Sequence, residues 1–239
     1  MSFYSSHKAR ILAGAYDTSL KASSAQIGNT VEMLEVTTLS DAAKRYIAGL
    51  TDATMQIDGY LDSDAIAQAL TAFNTAQIFG AGVGVGVSYA PVGLAAGSPW
   101  FTVHALRSSF EAGSPVNGVT NFSLALQSEG AVGIGHSILD ATAVTIDTNH
   151  ASYDGGAASS TGAIAAAHVT AFSGLTNNVV TIEDSANNTD FTTIGTFSTF
   201  SGIGGSRITI TGAVRRYVRA VSNVTGTGSC TLTVGFCRT

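Results

Sequence analysis

Residues Thr54 to Leu61 alternate with a period of two. Met55, Ile57, Gly59 and Leu61 fall on one side, and Thr54, Gln56, Asp58 and Tyr60 on the other. An extended chain puts successive side chains on opposite faces, so this run predicts a half-buried strand with one face on a core. The pattern recurs at Gly80–Val87, where Val83, Val85 and Val87 share one face and Gly82, Gly84 and Gly86 the other. A face of glycines lets a second backbone approach closely. Further strands are expected at Ala25–Leu39, Phe101–Arg107 and Val119–Gln127.

One segment changes period. Ile66, Ala69, Leu70 and Phe73 sit at i, i+3, i+4 and i+7, a single apolar stripe. Asp62, Ser63 and Asp64 precede it and favour a helix start. One short helix packed on a sheet is therefore expected.

The second half reads as a second β block. Strands are expected at His168–Ser173, Asn178–Asp184, Phe191–Phe197, Arg207–Thr211, Arg215–Asn223 and Ser229–Phe236, with Gly, Asn and Asp between them. That spacing predicts an antiparallel sandwich or jelly roll. Ser152–Ala167 is small and rich in Gly, Ser and Ala, which reads as a linker or a long β-connection. The expected division is a first domain over 1–145, a linker over 146–167, and a β-sandwich over 168–239.

Only 11% of the 239 residues are charged, against about a quarter in an average soluble domain. Much of the surface is expected to be covered by neighbours or built from Ser, Thr, Asn and Gly. The formal net charge is -5, and the acidic surplus lies mainly before His136. A chain that grips nucleic acid needs a basic surplus to neutralise phosphates, so DNA binding is not expected. The N-terminal residues lack the apolar run of a signal peptide. Asp64 to Arg107 contains no Asp, Glu, Lys or Arg between its ends, yet holds Gln68, Asn74, Gln77, Pro91 and many Gly, so no membrane insertion is expected. Cys230 and Cys237 bracket one expected strand at an odd separation. Seven residues of strand span roughly 23 Å, and a disulfide needs Cα atoms within about 7 Å. They should point to opposite faces and stay free, which suits assembly in a reducing cytoplasm.

Chemistry is hard to find. A G-x-G-x-x-G frame at Gly80 fails, because the third glycine falls on Val85, Val87 or Tyr89. No lysine follows a glycine as a phosphate loop requires. His7, His104, His136, His150 and His168 are scattered without metal-ligand spacing. Ser137 in G-H-S-I-L lacks the second glycine of a nucleophile elbow. Asp58, Asp62 and Asp64 could gather round a cation, but a helix start explains the last two. The sequence predicts no enzyme, no cofactor and no metal. Arg215, Arg216 and Arg219 form the one basic cluster. In an extended strand Arg215, Tyr217 and Arg219 share a face, either an exterior or binding face or a solvated sheet edge.

The run D-A-A-K-R-Y-I-A-G-L-T-D-A-T-M-Q-I-D-G-Y-L-D, Asp41–Asp62, closely resembles major tail tube proteins of long flexible-tailed (siphovirus-type) bacteriophages, especially those infecting actinobacteria. Ser114–Gly130 (S-P-V-N-G-V-T-N-F-S-L-A-L-Q-S-E-G) resembles a later strand of the same proteins. The second half is similar in style to β-domains added to such proteins. Thr181–Asp190 followed by R-R-Y-V-R-A-V is also similar to discoidin-like jelly rolls, many of which bind sugars.

The resemblance implies a mainly β protein. A tail-tube-type sandwich or barrel with one short helix would be followed by a jelly-roll-like sandwich on the tube exterior. It implies homohexameric rings stacked into a virion tail tube, assembled in the host cytoplasm. Tail-tip, tape-measure and tail-terminator proteins would be partners, and DNA would pass through the lumen without specific binding. Alternatives are a capsid decoration or tail-tip protein, or a carbohydrate-binding module in the second half. Ser40–Leu50 is read as a loop or a short helical turn that touches a neighbouring subunit through Asp41, Lys44, Arg45, Tyr46, Ile47 and Leu50. The plain alternative folds Tyr46 and Ile47 onto their own sheet and leaves the charges solvated.

Overall fold

A computed structural model describes residues 8–19, 22–60, 85–116 and 118–239. These residues form fourteen strands, all paired antiparallel. The β expectation holds, and among the described residues there is no α-helix. The helix expected at Ile66–Phe73 lies outside the described residues, as do Asp62, Asp64, His7 and the first part of the glycine-faced run. Among the described residues, no helix is long and apolar enough to cross a membrane.

The strands stack as four layers. The first holds β3 (Ala22–Glu35), β4 (Tyr46–Tyr60), β7 (Asn121–Ser128) and the C-terminal part of β6 (Pro99–Gly113), hydrogen-bonded in that order. The second holds β2 (Tyr16–Asp17), β1 (Arg10–Ala13), β5 (Val85–Ala90) and the N-terminal part of β6. Strand β6 serves both layers, and its register shifts between Arg107 and Ser109 where it leaves one for the other. Met55, Ile57 and Leu124 of the first layer pack on Ile11, Val87 and Val103 of the second. The alternation is thus a real core face over Thr54–Tyr60, with Ala53, Met55, Ile57 and Gly59 buried, and Leu61 lies outside the described residues.

The third layer holds β8 (Gly133–Val144), the C-terminal part of β14 (Tyr217–Arg238), the N-terminal part of β11 (Ala163–Ser185), and β13 (Gly204–Ile210). The fourth holds β9 (Thr148–Asn149), β10 (Tyr153–Asp154), the other parts of β14 and β11, and β12 (Thr192–Thr196). Val169, Leu232 and Val234 of the third layer pack with Val180, Ile182 and Val218 of the fourth. Ile138, Leu139 and Val144 of β8 join this core.

Two expectations are corrected here. The four strands expected at His168–Ser173, Asn178–Asp184, Arg215–Asn223 and Ser229–Phe236 are two long ones, β11 and β14. The Gly and Asn between them mark bends inside a paired ribbon. Gly174 (φ 74°) and Gly226 (φ 97°) sit where the register shifts. A Cβ on Gly174 would lie 2.5 Å from the Thr227 carbonyl oxygen. Only glycine fits that conformation and that approach, and the bend turns the ribbon from the third layer into the fourth.

The linker read over 146–167 contains β9 and β10 and ends inside β11. Ala163–Ala167 is wholly buried. Ala163, Ala165 and Ala167 face one core. Ile164 and Ala166 face another, with Leu12, Ala90, Leu94, Trp100 and Cys237. A strand covered on both faces loses its alternation, and small side chains let two layers close on it. That is why the segment reads as a linker in the sequence. Cys230 and Cys237 are free and buried in different cores, as opposite faces of β14 require.

Candidate assembly surface

Strand β4 pairs with β7 only from Thr54 to Tyr60. Before Thr54 its one partner among the described strands is β3, through pairs down to Glu35↔Tyr46. The two strands therefore run on past the sheet as a two-stranded ribbon, about 25 Å long at 3.3 Å per residue. Isolated ribbons are marginal in water unless something covers them.

The ribbon is apolar on both faces. Val31 pairs with Thr51, Met33 with Ala48, and Glu35 with Tyr46, so these share the face that continues from the core. Leu34 pairs with Ile47 on the opposite face. Gly49 lies on Glu32 there, where a Cβ would meet the Glu32 backbone and side chain at 3.1–3.2 Å. Met33 is 58% exposed, Ile47 51% and Leu50 82%. The expected loop over Ser40–Leu50 is corrected: Tyr46, Ile47 and Leu50 belong to β4, and the loop spans 36–45. Tyr46 and Ile47 do not fold back onto a core. The apolar residues of β3 carry no readable signal in the sequence, because V-E-M-L-E-V does not alternate and a register shift after Val31 breaks the pattern.

The loop at the tip is ordered by its own bonds. The backbone N–H and hydroxyl of Thr38 donate to Asp41 Oδ2 at 2.8 and 2.9 Å. The Thr38 amide is the first cause that holds the Asp41 carboxyl below its usual range. Arg45 N–H donates to Thr37 Oγ1 at 3.0 Å. Lys44 Nζ reaches Glu35 at 3.0 Å, and Arg45 lies 3.5 Å from Asp41. These bonds present Leu39 to solvent with its whole side chain free. Asp41, Lys44 and Arg45 thus sit in one loop, with Tyr46, Ile47 and Leu50 on the adjoining strand.

Both edges of the first layer lack a partner among the described residues. Among the described strands β3 pairs only with β4, and Ser109–Gly113 of β6 only with β7. Its outer face carries Asp52, Thr54, Gln56 and Asp58 from β4. Ser24, Gln26 and Thr30 of β3, Ser123 and Gln127 of β7, and Ser109 and Glu111 of β6 stand beside them in register. Asp52, Asp58 and Glu111 put three carboxylates on that face. Asp58 accepts from Ser24 Oγ at 2.9 Å and Gln56 Nε2 at 3.1 Å. Its carboxyl is held low, first by a hydrogen bond from Ser123.

The arginine cluster behaves otherwise. Arg215 precedes β14 and bonds Asp184 through its backbone N–H at 2.7 Å and its guanidinium at 2.5 and 2.8 Å. Arg219 donates twice to Glu183 and lies 3.9 Å over the Phe191 ring. Asp184 and Glu183 are neighbours on a strand and point to opposite faces. The shared face expected for Arg215, Tyr217 and Arg219 is therefore not formed. Arg216 pairs with Asp154 at 2.7 Å and lies over Tyr217 at 5.0 Å. Hydrogen bonding from Arg216 holds the Asp154 carboxyl at about 2.

The remaining candidates do not converge. Ser137 Oγ is fully buried and donates to the Leu94 carbonyl at 2.6 Å. His104 lies 3.2 Å from Glu129, and His150 3.0 Å from Ser222. His168 is fully buried between the Gly14 carbonyl and Ser88 Oγ, at 2.8 Å each. Among the described residues no three His, Cys, Asp or Glu side chains gather as metal ligands would.

No family model matches the chain, and no curated protein matches it. Solved structures do. One is the virion of a native gene transfer agent particle, with TM-score 0.45, 16% identity, 55% of this chain and 98% of that chain covered. Another is the SPP1 tail tube, with TM-score 0.46, 11% identity, and 57% and 81% covered. A third is the SPP1 Dit protein, described as a hub adsorption apparatus in phages infecting Gram-positive hosts, with TM-score 0.40, 11% identity, and 96% and 99% covered.

Proposed function

We propose that this chain is a structural subunit of a phage-type tail tube, joining copies of itself side by side into rings that stack around a DNA passage. The reading is carried by one observation: a four-stranded sheet whose two edges have no partner among the described residues, with a ribbon that exposes apolar side chains on both faces. Long open edges are a hazard to a lone molecule, and pairing the β3 edge of one copy with the β6 edge of the next removes both. The contact is heterologous, so it repeats until a ring closes. The resemblance at Asp41–Asp62 points the same way, and this run contains β4.

The six-fold ring of this reading is compatible with strand geometry. With strands about 4.8 Å apart and tilted about 40°, six copies of four strands close a barrel roughly 48 Å across at the backbone. Three copies would give roughly 24 Å, too narrow for a duplex once side chains fill the wall. Six copies, with the face of Asp52, Asp58 and Glu111 turned inward, give a lumen whose charge repels phosphate and lets DNA slide. The fourth layer ends in short edge strands, β9, β10 and β12, which suits an exterior position. In this reading the partners are other copies and the proteins that start, measure and end a tail, and the location is the virion tail. Negative-stain electron microscopy and sedimentation of the concentrated protein test it. Rings or tubes with six subunits per turn are expected; a protein that stays monomeric at every concentration overturns it.

A further inference from the structure

Four buried polar contacts run in line across the face between the second and third layers. His168 of β11 reaches the Gly14 carbonyl through Nδ1 and Ser88 Oγ of β5 through Nε2, at 2.8 Å each. Ser88 Oγ lies 3.1 Å from Thr102 Oγ1 of β6, and Thr102 Oγ1 lies 3.3 Å from the Val87 carbonyl oxygen. His168, Ser88 and Thr102 are at most 1% exposed. Gly205 of β13 lies against Gly14, where a Cβ would come within 2.8 Å of the Gly14 carbonyl oxygen, so backbone closes over that end of the line.

Both ends of this line are carbonyls, which only accept. A neutral imidazole and two hydroxyls bring three hydrogens to four contacts, so one contact carries none. A fourth proton, on Nε2, fills every contact. Nδ1 then donates to Gly14, Nε2 to Ser88, Ser88 to Thr102 and Thr102 to Val87. We propose that His168, Ser88 and Thr102 form a proton-accepting relay between the second and third layers, which takes one proton onto the imidazole and keeps the junction closed when it does. The relay lies inside one copy, so it stands apart from the tail-tube reading. The other titratable or charged side chains on the two facing sheets are Arg10 of β1, Asp17 of β2, His104 of β6, Arg207 of β13 and Cys237 of β14. Arg10 pairs with Asp17 at 3.8 Å, His104 with Glu129 at 3.2 Å, and Arg207 donates to the Ala131 carbonyl. The hydrogen-bond partners of the ring among the described residues are Gly14 and Ser88, neither of them a carboxylate. An added proton is therefore stabilised by aligned dipoles in place of a counter-ion. Burial pushes His168 down to about 4, and the bond to Gly14 acts against it. The proton arrives in acid, and the relay decides whether the fold survives its arrival.

The experiment is nitrogen-15 NMR of the full chain labelled at histidine, titrated from neutral pH down through about 4. The His168 signal is identified by its loss in His168→Asn. At neutral pH the proton is expected on Nδ1 alone. In acid both ring nitrogens should carry one while the spectrum stays that of the folded chain. Thr102→Val removes the last hydroxyl of the relay and leaves both contacts of the neutral ring in place. Its protonated form strands the Ser88 hydrogen without an acceptor, so its His168 should titrate about one pH unit below the parent. Thr102→Ser restores the hydroxyl and should titrate with the parent. A folded Thr102→Val that titrates with the parent overturns the relay. So does a parent whose His168 gains its second proton only as the fold is lost. Should Thr102→Val not fold, the parent decides alone, since a doubly protonated His168 in the folded spectrum supports the relay and its absence overturns it.

Discussion

His168 shows how one side chain can tie two sandwiches together. It projects from β11 of the third layer, and its partners Gly14 and Ser88 belong to the second. The Gly14 carbonyl can only accept, so Nδ1 carries a proton, and Nε2 lies 2.8 Å from Ser88 Oγ. Burial is the first cause that pushes His168 down to about 4. An unfolded histidine titrates near 6.5. The unfolded chain therefore binds the proton first. Stability from this group is complete above pH 6.5 and falls as the pH drops from 6.5 towards 4. The full loss is roughly 3 kcal/mol. Urea midpoints of the wild type and His168→Asn should converge as the pH is lowered through that window. Parallel curves would show that the histidine takes no proton on unfolding there. Burial also depresses His150, which adds a slope of the same sign to both proteins and cancels in the comparison.

At the scale of elements, legibility followed how many faces a strand buries. Strand β4 buries one face from Ala53 to Gly59, so its alternation gave both its type and its orientation. The start of β11 buries two faces with alanines, and the same local rules returned a linker. Strand β3 buries almost nothing in the ribbon, so its residues carry no core pattern to read. The subunit-contact residues were legible in part. Their mixed charge and apolar anchors stood out at Lys44–Leu50, but the matching apolar side chains on β3, and Leu39, depend on register. Arg45 tests whether this element works at a contact. Its guanidinium lies 3.5 Å from Asp41 on an exposed loop, where solvent screening leaves the ion pair little effect on folding. We expect Arg45→Glu to keep the circular dichroism spectrum and thermal midpoint of the parent. Its critical concentration for tube assembly should rise at least tenfold, because a like charge at a contact costs more than a kcal/mol. Unchanged assembly by the folded variant would place Arg45 outside any essential contact.

At the scale of the whole molecule, the two halves share more than a connecting chain. Leu12, Ala90, Leu94 and Trp100 pack with Ile164, Ala166 and Cys237 across the middle of the stack. Gly235 lies flat on the indole, where a Cβ would come within 2.2 Å of Trp100. Strand β8 pairs with β6 on one side and β14 on the other, so hydrogen bonds also cross the junction. The Gly/Ser/Ala stretch is different at its start. Gly156–Ala158 and Ser160 are exposed and belong to no strand, whereas Ala163 onward is buried. Proteolysis follows exposed, locally openable backbone, so a broad protease at low dose should nick near Ser152–Thr161. Because the cut falls before the shared core, the two fragments should stay together. The nicked protein is expected to elute at the parent's volume on size exclusion and to separate only in denaturant. If the C-terminal fragment instead elutes alone and keeps its β spectrum, the halves are independent domains. The core around Trp100 would then be a docking contact between them and not a condition of folding. That outcome would also leave the second half free to be exchanged without disturbing the sheet that carries the ribbon.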